Sequence, residues 1–178
     1  MTLDSCLKSG INKLQESNIT DSEYDAFVLM EEVTGISRND YFLRKSEEIS
    51  VSDYDTYMKL IERRLSHIPL QHITGRANFY GYEFLVDENV LIPRLDTEVL
   101  VEKVLELKPC ESILDMCCGS GCIGISLYLE NVKRGLRCSV TATDISPKAI
   151  DITRENVNRL IGADGTFHIR KSDLFTNI

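Results

Sequence analysis

A short acidic and glycine-rich segment is the part of the sequence best suited to chemistry. Asp115 ends an apolar run and is followed by Gly119 and Gly121, after which a helical pattern begins. Glycines let a backbone approach a ligand closely, and the first turn of a helix offers free N–H groups and a partial positive charge. The segment therefore predicts a ligand-binding turn between a strand and a helix.

A second carboxylate is placed to complete this site. Asp144 ends the next predicted strand, 23 residues after Gly121. An acid at the tip of the second strand of such a unit is well placed to accept both hydroxyls of an adenosine ribose. The two acids together predict a cofactor that contains adenosine.

Two classes of cofactor use this layout. Gly119, Gly121 and Gly124 satisfy the G-x-G-x-x-G spacing of a dinucleotide site. Asp115 argues against NAD, because a carboxylate beside the glycines repels a pyrophosphate. S-adenosylmethionine has no phosphate, and an acid can hold its ammonium while its carboxylate takes the helix N-terminus. We therefore predict S-adenosylmethionine, since a turn without a ligand leaves both acids unexplained.

The segment after the third predicted strand adds two candidates. Asp173 can accept a hydrogen bond from an adenine amino group, and Leu174 can pack on the ring, although a Ser-Asp pair is also typical of an ordinary turn. The complete predicted cofactor set is Asp115, Cys117, Cys118, Gly119, Ser120, Gly121, Asp144, Asp173 and Leu174.

Composition limits the other possibilities. Cys117, Cys118 and Cys122 lack the spacing and the nearby histidine of a zinc site, so no metal is predicted. The net charge of -8 argues against direct nucleic-acid binding. The N-terminus has no secretory pattern, and no run approaches the roughly 18 apolar residues of a membrane span. These features predict a cytoplasmic protein with no membrane partner and six reduced cysteines, among them Cys110.

The pattern of residue types changes along the chain. Leu3, Leu7, Ile11 and Leu14 share a helical face, and further helices follow with Ser37 and Ser52 as predicted N-caps. Aromatic and β-branched residues over 77–92 then predict a β-hairpin. We predict a small helical domain over 1–75, a hairpin linker over 76–95 and a third region over 96–178.

The third region alternates strands and helices. Strands are predicted over 113–116, 139–143 and 166–169, with helices over 121–129 and 147–160 between them. This βαβαβ order predicts an α/β fold with a parallel sheet and right-handed crossovers.

Four segments resemble one known family. Ile92–Glu98 reads I-P-R-L-D-T-E and resembles the I-P-R-P-D-T-E of the release factor glutamine methyltransferases, also called the HemK or PrmC family. Pro69–Gly75 resembles that family's P-L-Q-Y-I-T-G, Phe79–Phe84 resembles its hairpin, and Asp115–Gly121 is similar to its cofactor loop. The match runs in order along essentially the whole chain.

The resemblance implies a fold and a reaction. The helical N-terminal domain would help to hold a peptide chain release factor, and the rest would be the first half of a class I, Rossmann-like S-adenosylmethionine methyltransferase domain. The enzyme would methylate the amide nitrogen of the glutamine in the factor's Gly-Gly-Gln loop. In the family an Asn-Pro-Pro-Tyr loop after the fourth strand accepts the two amide protons, which orients the nitrogen and stabilises its growing charge.

The printed sequence contains no Asn-Pro-Pro-Tyr. We therefore expect a chain truncated after its third strand, with no catalytic residue of its own, weak cofactor binding at best and no methyltransferase activity. The edge of the first strand would then be open, which favours aggregation.

The resemblance also suggests residues at the cofactor or substrate mouth: Arg94, Thr97, Glu98 and Phe79. An ion pair between Arg94 and Glu98 with a helix cap is the alternative there, and hairpin packing is the alternative for Phe79. Cys117 stands where the family commonly has Gly, which predicts that this position needs no positive φ.

Two other functions remain open from the sequence. Nucleic-acid amino-methyltransferases share the Asn-Pro-Pro-Tyr solution, because adenine and cytosine amino groups present a similar nitrogen. A docking module that binds a release factor without chemistry is the other alternative.

Overall fold

The computed structural model describes residues 1–107, 111–163 and 165–178. Cys110 lies outside these ranges. The described residues form two compact units, Met1–Thr74 and Gly75–Ile178, each with its own buried core. No helix in these ranges has both the length and the apolar character that crossing a membrane requires.

Five helices make up the first unit. In chain order they are α1 (Leu3–Glu16), α2 (Ser22–Thr34), α3 (Arg38–Arg44), α4 (Val51–Leu65) and α5 (Leu70–Thr74). The predicted apolar face of α1 is confirmed, since Leu3, Leu7 and Leu14 are buried and Ile11 packs partly buried against them.

One of the two predicted serine caps is correct. The side chain of Ser37 accepts the Asp40 N–H at 3.2 Å and begins α3. The assignment of Ser52 is wrong, because Ser50 has the extended backbone of an N-cap and accepts the Asp53 N–H at 3.0 Å. Helix α4 therefore begins at Val51, before the predicted cap.

A buried ion pair joins two helices of the first unit. The Arg64 Nε of α4 lies 2.6 Å from Oδ2 of Asp25 in α2, and both side chains are largely buried. The Arg64 guanidinium also donates to the Ile68 carbonyl. The pair satisfies charges that would otherwise be costly to bury.

The second unit starts with a β-hairpin. Strands β1 (Arg76–Phe79) and β2 (Tyr82–Leu85) pair antiparallel, with Phe79 opposite Tyr82. The two turn residues, Tyr80 and Gly81, have φ of 52° and 77°, as a two-residue type I′ turn requires. The hairpin is shorter than the predicted 77–92, because the chain after Leu85 runs without strand pairing.

The rest of the second unit is an α/β layer. A 3-10 turn (Leu95–Thr97) leads into α6 (Glu98–Glu106), and then come β3 (Ser112–Met116), α7 (Cys122–Lys133), β4 (Ser139–Asp144), α8 (Pro147–Leu160) and β5 (Phe167–Lys171). The strands are parallel in the order β3-β4-β5. This confirms the predicted α/β fold, with its helical N-terminal part and its Rossmann-like βαβαβ unit.

The residues at the start of helix α8 determine where this helix begins. Ser146 caps α8 by accepting the Ala149 N–H at 3.3 Å, and Pro147 takes the first helical position, where its missing N–H costs nothing.

In the described sheet, β3 pairs with β4 on one side only, so the other edge of β3 is open.

Candidate cofactor site

The strand register brings the predicted site residues to one edge of the sheet. Met116 lies opposite Thr143, and Asp144 lies opposite Lys171. The Ser172 N–H donates to the Asp144 carbonyl at 3.0 Å. The ends of all three strands, and the segments that follow them, therefore meet at the carboxyl edge, which is where open α/β sheets bind ligands.

Asp115 is a buried carboxylate against the first turn of α7. Its Oδ2 accepts the Gly124 N–H at 2.9 Å. Burial, and to a smaller extent the charge of Asp144, raises the pKa of Asp115 to about 6, although the Gly124 hydrogen bond opposes the rise. A cation close to this carboxylate would favour its ionised form.

The turn between β3 and α7 has three residues in the left-handed region. Cys117, Gly119 and Gly121 have φ of 60°, 57° and 78°. The prediction that Cys117 avoids a positive φ is therefore wrong. Its side chain is exposed, and its left-handed backbone conformation costs a non-glycine residue about 1 kcal/mol. Among the described residues, no heavy atom lies within 4 Å of a Cβ built on Gly119, so the space beside this glycine is open.

Two side chains of the turn face the interior. Cys118 is buried, its N–H donates to the Thr143 carbonyl at 2.9 Å, and its Sγ lies 3.3 Å from Oγ1 of Thr153. Burial raises the pKa of the Cys118 thiol to about 12. Ser120 is also buried. Only the backbone of these two residues is therefore available to a ligand.

Asp144 is oriented by two backbone donors. Its Oδ2 accepts the Gly119 N–H at 3.0 Å, and its Oδ1 accepts the Ser146 N–H at 2.9 Å. Each carboxylate oxygen keeps a second lone pair. The half-buried side chain is thereby held in one orientation beside the glycine turn.

Helix α8 contributes two buried residues that sequence reasoning missed. Thr153 Oγ1 donates to the Gly119 carbonyl at 2.8 Å, and Asn156 Nδ2 donates to the Ser120 carbonyl at 2.9 Å. The signal that could have revealed them is their spacing, since two polar residues three apart interrupt the apolar face formed by Ile150 and Val157.

Asp173 and Leu174 lie in an exposed turn after β5. The Ser172 hydroxyl donates to the Leu174 carbonyl at 2.8 Å, and the Thr176 N–H donates to the Asp173 carbonyl at 3.1 Å. Leu174 has a φ of 48°. Both side chains are exposed, and Ser172 ties the turn to Asp144.

The residues predicted at the substrate mouth separate into different environments. Glu98 accepts the Tyr80 N–H at 2.7 Å and so holds the hairpin turn. Arg94 is exposed and Thr97 is half-buried, and no ion pair joins Arg94 to Glu98 in the part of the chain that the structure describes. Phe79 is fully buried and packs edge-on against Phe84. Phe79 therefore belongs to the core rather than to a surface that a substrate reaches.

The residues at the sheet edge fit a ligand with a cationic and an adenosyl end. Two carboxylates, Asp115 and Asp144, flank the turn, and the segment from Asp115 to Gly121 contains no Lys or Arg. A pyrophosphate would meet net negative charge here. No group of three or more His, Cys, Asp or Glu in the described ranges is placed to hold a metal ion.

Two family models match most of the chain. Residues 5–75 match the PrmC N-terminal domain, and residues 94–178 match the methyltransferase small domain. The chain is a relative of the release factor glutamine methyltransferases. The matches place the helical unit in the first model and the α/β layer in the second, in the order that the resemblance implied.

Curated relatives agree with these models. The release factor glutamine methyltransferase of Koribacter versatilis is 37% identical over 100% of this chain and 62% of its own length. That of Leptospira interrogans is 34% identical over 97% of this chain and 60% of its own length. A bifunctional methyltransferase of Rickettsia typhi is 35% identical over 84% of this chain and 32% of its own length.

The chain thus spans about 60% of the length of the release factor glutamine methyltransferases that it matches. Among solved structures, the Pyrococcus abyssi tRNA (uracil-54, C5)-methyltransferase in complex with S-adenosyl-L-homocysteine is 30% identical, with a TM-score of 0.43, over 55% of this chain and 23% of that chain. The parallel β3-β4-β5 sheet, rather than this likeness, defines the fold.

Proposed function

We propose that this chain binds S-adenosylmethionine at the carboxyl edge of its sheet, as part of an enzyme that methylates a glutamine of a peptide chain release factor. The observation that supports this most is the pair of strand-end acids, Asp115 and Asp144, on either side of an open glycine turn. The names of its curated relatives supply the substrate class.

Asp144 suits the ribose end of the cofactor. The Gly119 and Ser146 N–H groups fix the carboxylate, so its remaining lone pairs are preoriented for the two ribose hydroxyls. Preorientation lowers the ordering cost of binding. Asp173 and Leu174 in the turn after β5 are proposed for the adenine, with Leu174 packing on the ring and Asp173 accepting from the amino group.

Asp115 suits the ammonium of the cofactor. When bound, S-adenosylmethionine supplies a methyl group that its positive sulfur makes electrophilic. Asp115 would hold the ammonium directly or through water, and this charge would offset the burial that raises the pKa of its carboxyl. The same carboxylate would repel the pyrophosphate of NAD.

The substrate end of the proposal rests on the family. The helical unit would help to hold the release factor, with Arg94, Thr97 and Glu98 near the mouth. The printed sequence contains no Asn-Pro-Pro-Tyr, the motif that accepts the two amide protons of the glutamine in that family. We expect this chain to bind the cofactor weakly and to transfer no methyl group.

Calorimetric titration tests the cofactor assignment. S-adenosylhomocysteine should give a one-to-one isotherm and NADH should give no heat. Asp144→Asn should weaken binding about tenfold or more through lost charge-assisted hydrogen bonds, whereas Asp151→Asn, which is exposed on α8, should leave it unchanged. Heat with NADH and none with S-adenosylhomocysteine would reverse the assignment.

A transfer assay tests the rest. Labelled S-adenosylmethionine and purified release factor should give no methylated product with this chain, and release factor should be retained on the immobilised chain at raised salt. Retention of RNA or DNA instead would favour the nucleic-acid amino-methyltransferase. Retention of release factor without any binding of S-adenosylhomocysteine would favour the docking module.

A further inference from the structure

Helix α8 carries two buried polar side chains that the cofactor chemistry does not use. Thr153 and Asn156 are both fully buried, three residues apart, so they project from one face of the helix. Polar groups at such positions are costly to bury unless their hydrogen bonds are made. The hydrogen-bond partners of Thr153 and Asn156 therefore indicate the role of these side chains.

Both side chains hold the turn between β3 and α7 by its carbonyls. Thr153 donates to the Gly119 carbonyl at 2.8 Å, and Asn156 donates to the Ser120 carbonyl at 2.9 Å. In a trans peptide, C=O and N–H point in opposite directions. Fixing the Gly119 carbonyl on α8 therefore directs the Ser120 N–H away from α8.

Asn156 also reaches the hairpin. Its Oδ1 accepts the Leu85 N–H at 2.7 Å, and its Nδ2 donates to the Leu85 carbonyl at 3.0 Å. Both amide hydrogens and the amide oxygen of Asn156 are thus engaged by backbone groups. One side chain joins the end of β2 to the turn, although Leu85 lies 71 residues away in sequence.

We propose that Thr153 and Asn156 are positioning residues for the cofactor turn, and that Asn156 fastens this turn to the hairpin. The inference rests on the proposed function, because the turn is the proposed cofactor site. Thr153 sets the peptide plane between Gly119 and Ser120, and Asn156 sets the next plane along the chain. Neither side chain needs to touch the cofactor to control its affinity.

Close packing supports this arrangement. A Cβ built on Gly121 would lie 2.9 Å from Cγ2 of Thr153 and 3.1 Å from Cδ1 of Ile125. The turn therefore lies directly on the methyl group of Thr153 while the hydroxyl of Thr153 holds Gly119. A valine at 153 would keep the shape and lose the hydrogen bonds of the hydroxyl to the Gly119 carbonyl and to Cys118, which makes the contribution of the hydroxyl measurable.

Matched variants separate positioning from stability. Thr153→Val should weaken the binding of S-adenosylhomocysteine about tenfold, which is equivalent to about 1.4 kcal/mol, and Thr153→Ser should restore most of the affinity. Asn156→Asp places a carboxylate against the Leu85 and Ser120 carbonyls and should weaken binding at least as much. Asn131→Asp is the control, because Asn131 is also buried but donates to the Leu127 carbonyl within α7.

Amide hydrogen exchange gives a second readout that does not need the cofactor. Thr153→Val should speed exchange at Gly119 and Gly121, and Asn156→Asp should speed exchange at Leu85, while the β4–β5 amides stay protected. Unchanged exchange at these amides, or faster exchange with unchanged affinity, would overturn the inference. If the unaltered chain binds no S-adenosylhomocysteine, the proposed function fails, and the exchange alone decides whether α8 holds the turn.

Discussion

Gly124 lies so close to Asp115 that no side chain fits between the start of α7 and the end of β3. A Cβ built on Gly124 would lie 2.8 Å from Oδ2 and 3.1 Å from Cβ of Asp115. This approach lets the Gly124 N–H donate to the carboxylate at 2.9 Å. The third glycine of the G-x-G-x-x-G spacing is thus explained by helix–strand packing in the absence of a dinucleotide.

Gly124→Ala should therefore destabilise the second unit. The added methyl group collides with Asp115 and crowds Val140, and such overpacking costs about 1–3 kcal/mol, which outweighs the helix propensity of alanine at about 1 kcal/mol. Urea denaturation measures the change. Gly165→Ala is the control, since no heavy atom of the described residues lies within 4 Å of a Cβ built there. Equal effects of the two substitutions would contradict the packing argument.

Asp115 should make stability depend on pH in an unusual direction. Burial raises its pKa from 3.8 to about 6, so between these values the folded chain binds more protons than the unfolded chain. The contribution of Asp115 to the free energy of unfolding therefore falls as pH rises from about 4 to about 6, by about 3 kcal/mol.

Asp115→Asn should remove that contribution. Relative to the unaltered chain, the variant should gain stability as pH rises through this window, because it carries no proton to lose. Denaturation at several pH values gives the difference, and Asp96→Asn, an exposed position, is the control. A pH-independent difference would mean that Asp115 stays ionised in the folded chain.

Cys117 should be the thiol that reports on the proposed site. It is exposed in the turn, whereas Cys6, Cys118, Cys122 and Cys138 are buried. Iodoacetamide should label Cys117 far faster than these four, and S-adenosylhomocysteine should slow the labelling by covering the turn. Peptide mass spectrometry reads each cysteine separately. Labelling of Cys117 at an unchanged rate with saturating ligand would place the ligand elsewhere.

The first unit has a tight contact between Gly10 and Tyr57. A Cβ built on Gly10 would collide with Oη of Tyr57 and lie 2.7 Å from its Cζ, so Gly10→Ala should lower the free energy of unfolding by about 1–3 kcal/mol. The Tyr57 hydroxyl is buried and has no hydrogen-bond partner among the described residues. Tyr57→Phe should therefore be neutral or stabilising by up to about 1 kcal/mol. Thermal denaturation of both variants tests these two expectations. A large loss of stability in Tyr57→Phe would mean that the Tyr57 hydroxyl has a hydrogen-bond partner.

Periodic patterns predicted the elements well. Helix α1 buries one face, and the strands after Ser112 are predicted to bury both faces. Either kind of burial gives a regular pattern of apolar residues within a short stretch of sequence. Caps were harder, because Ser50 and Ser52 are both good N-cap residues and only the backbone geometry selects Ser50.

Features that depend on distant partners were not predictable. Asn156 bonds to Leu85 across 71 residues and Thr153 bonds to Gly119 across 34 residues, and neither distance is visible in a local pattern. The prediction for Cys117 was wrong because the turn around Cys117, rather than the conformational preference of cysteine, sets its positive φ. The acids at the two strand ends were predictable, since parallel strands place their ends at one edge.

A crystal structure of the chain with S-adenosylhomocysteine is the most direct test of the proposed site. We expect density for the ligand over the turn from Cys117 to Gly121, with the ribose hydroxyls on Asp144 and the amino group near Asp115. Ligand bound elsewhere, or an empty turn at saturating concentration with both carboxylates facing away from it, would show that this turn is not the cofactor site.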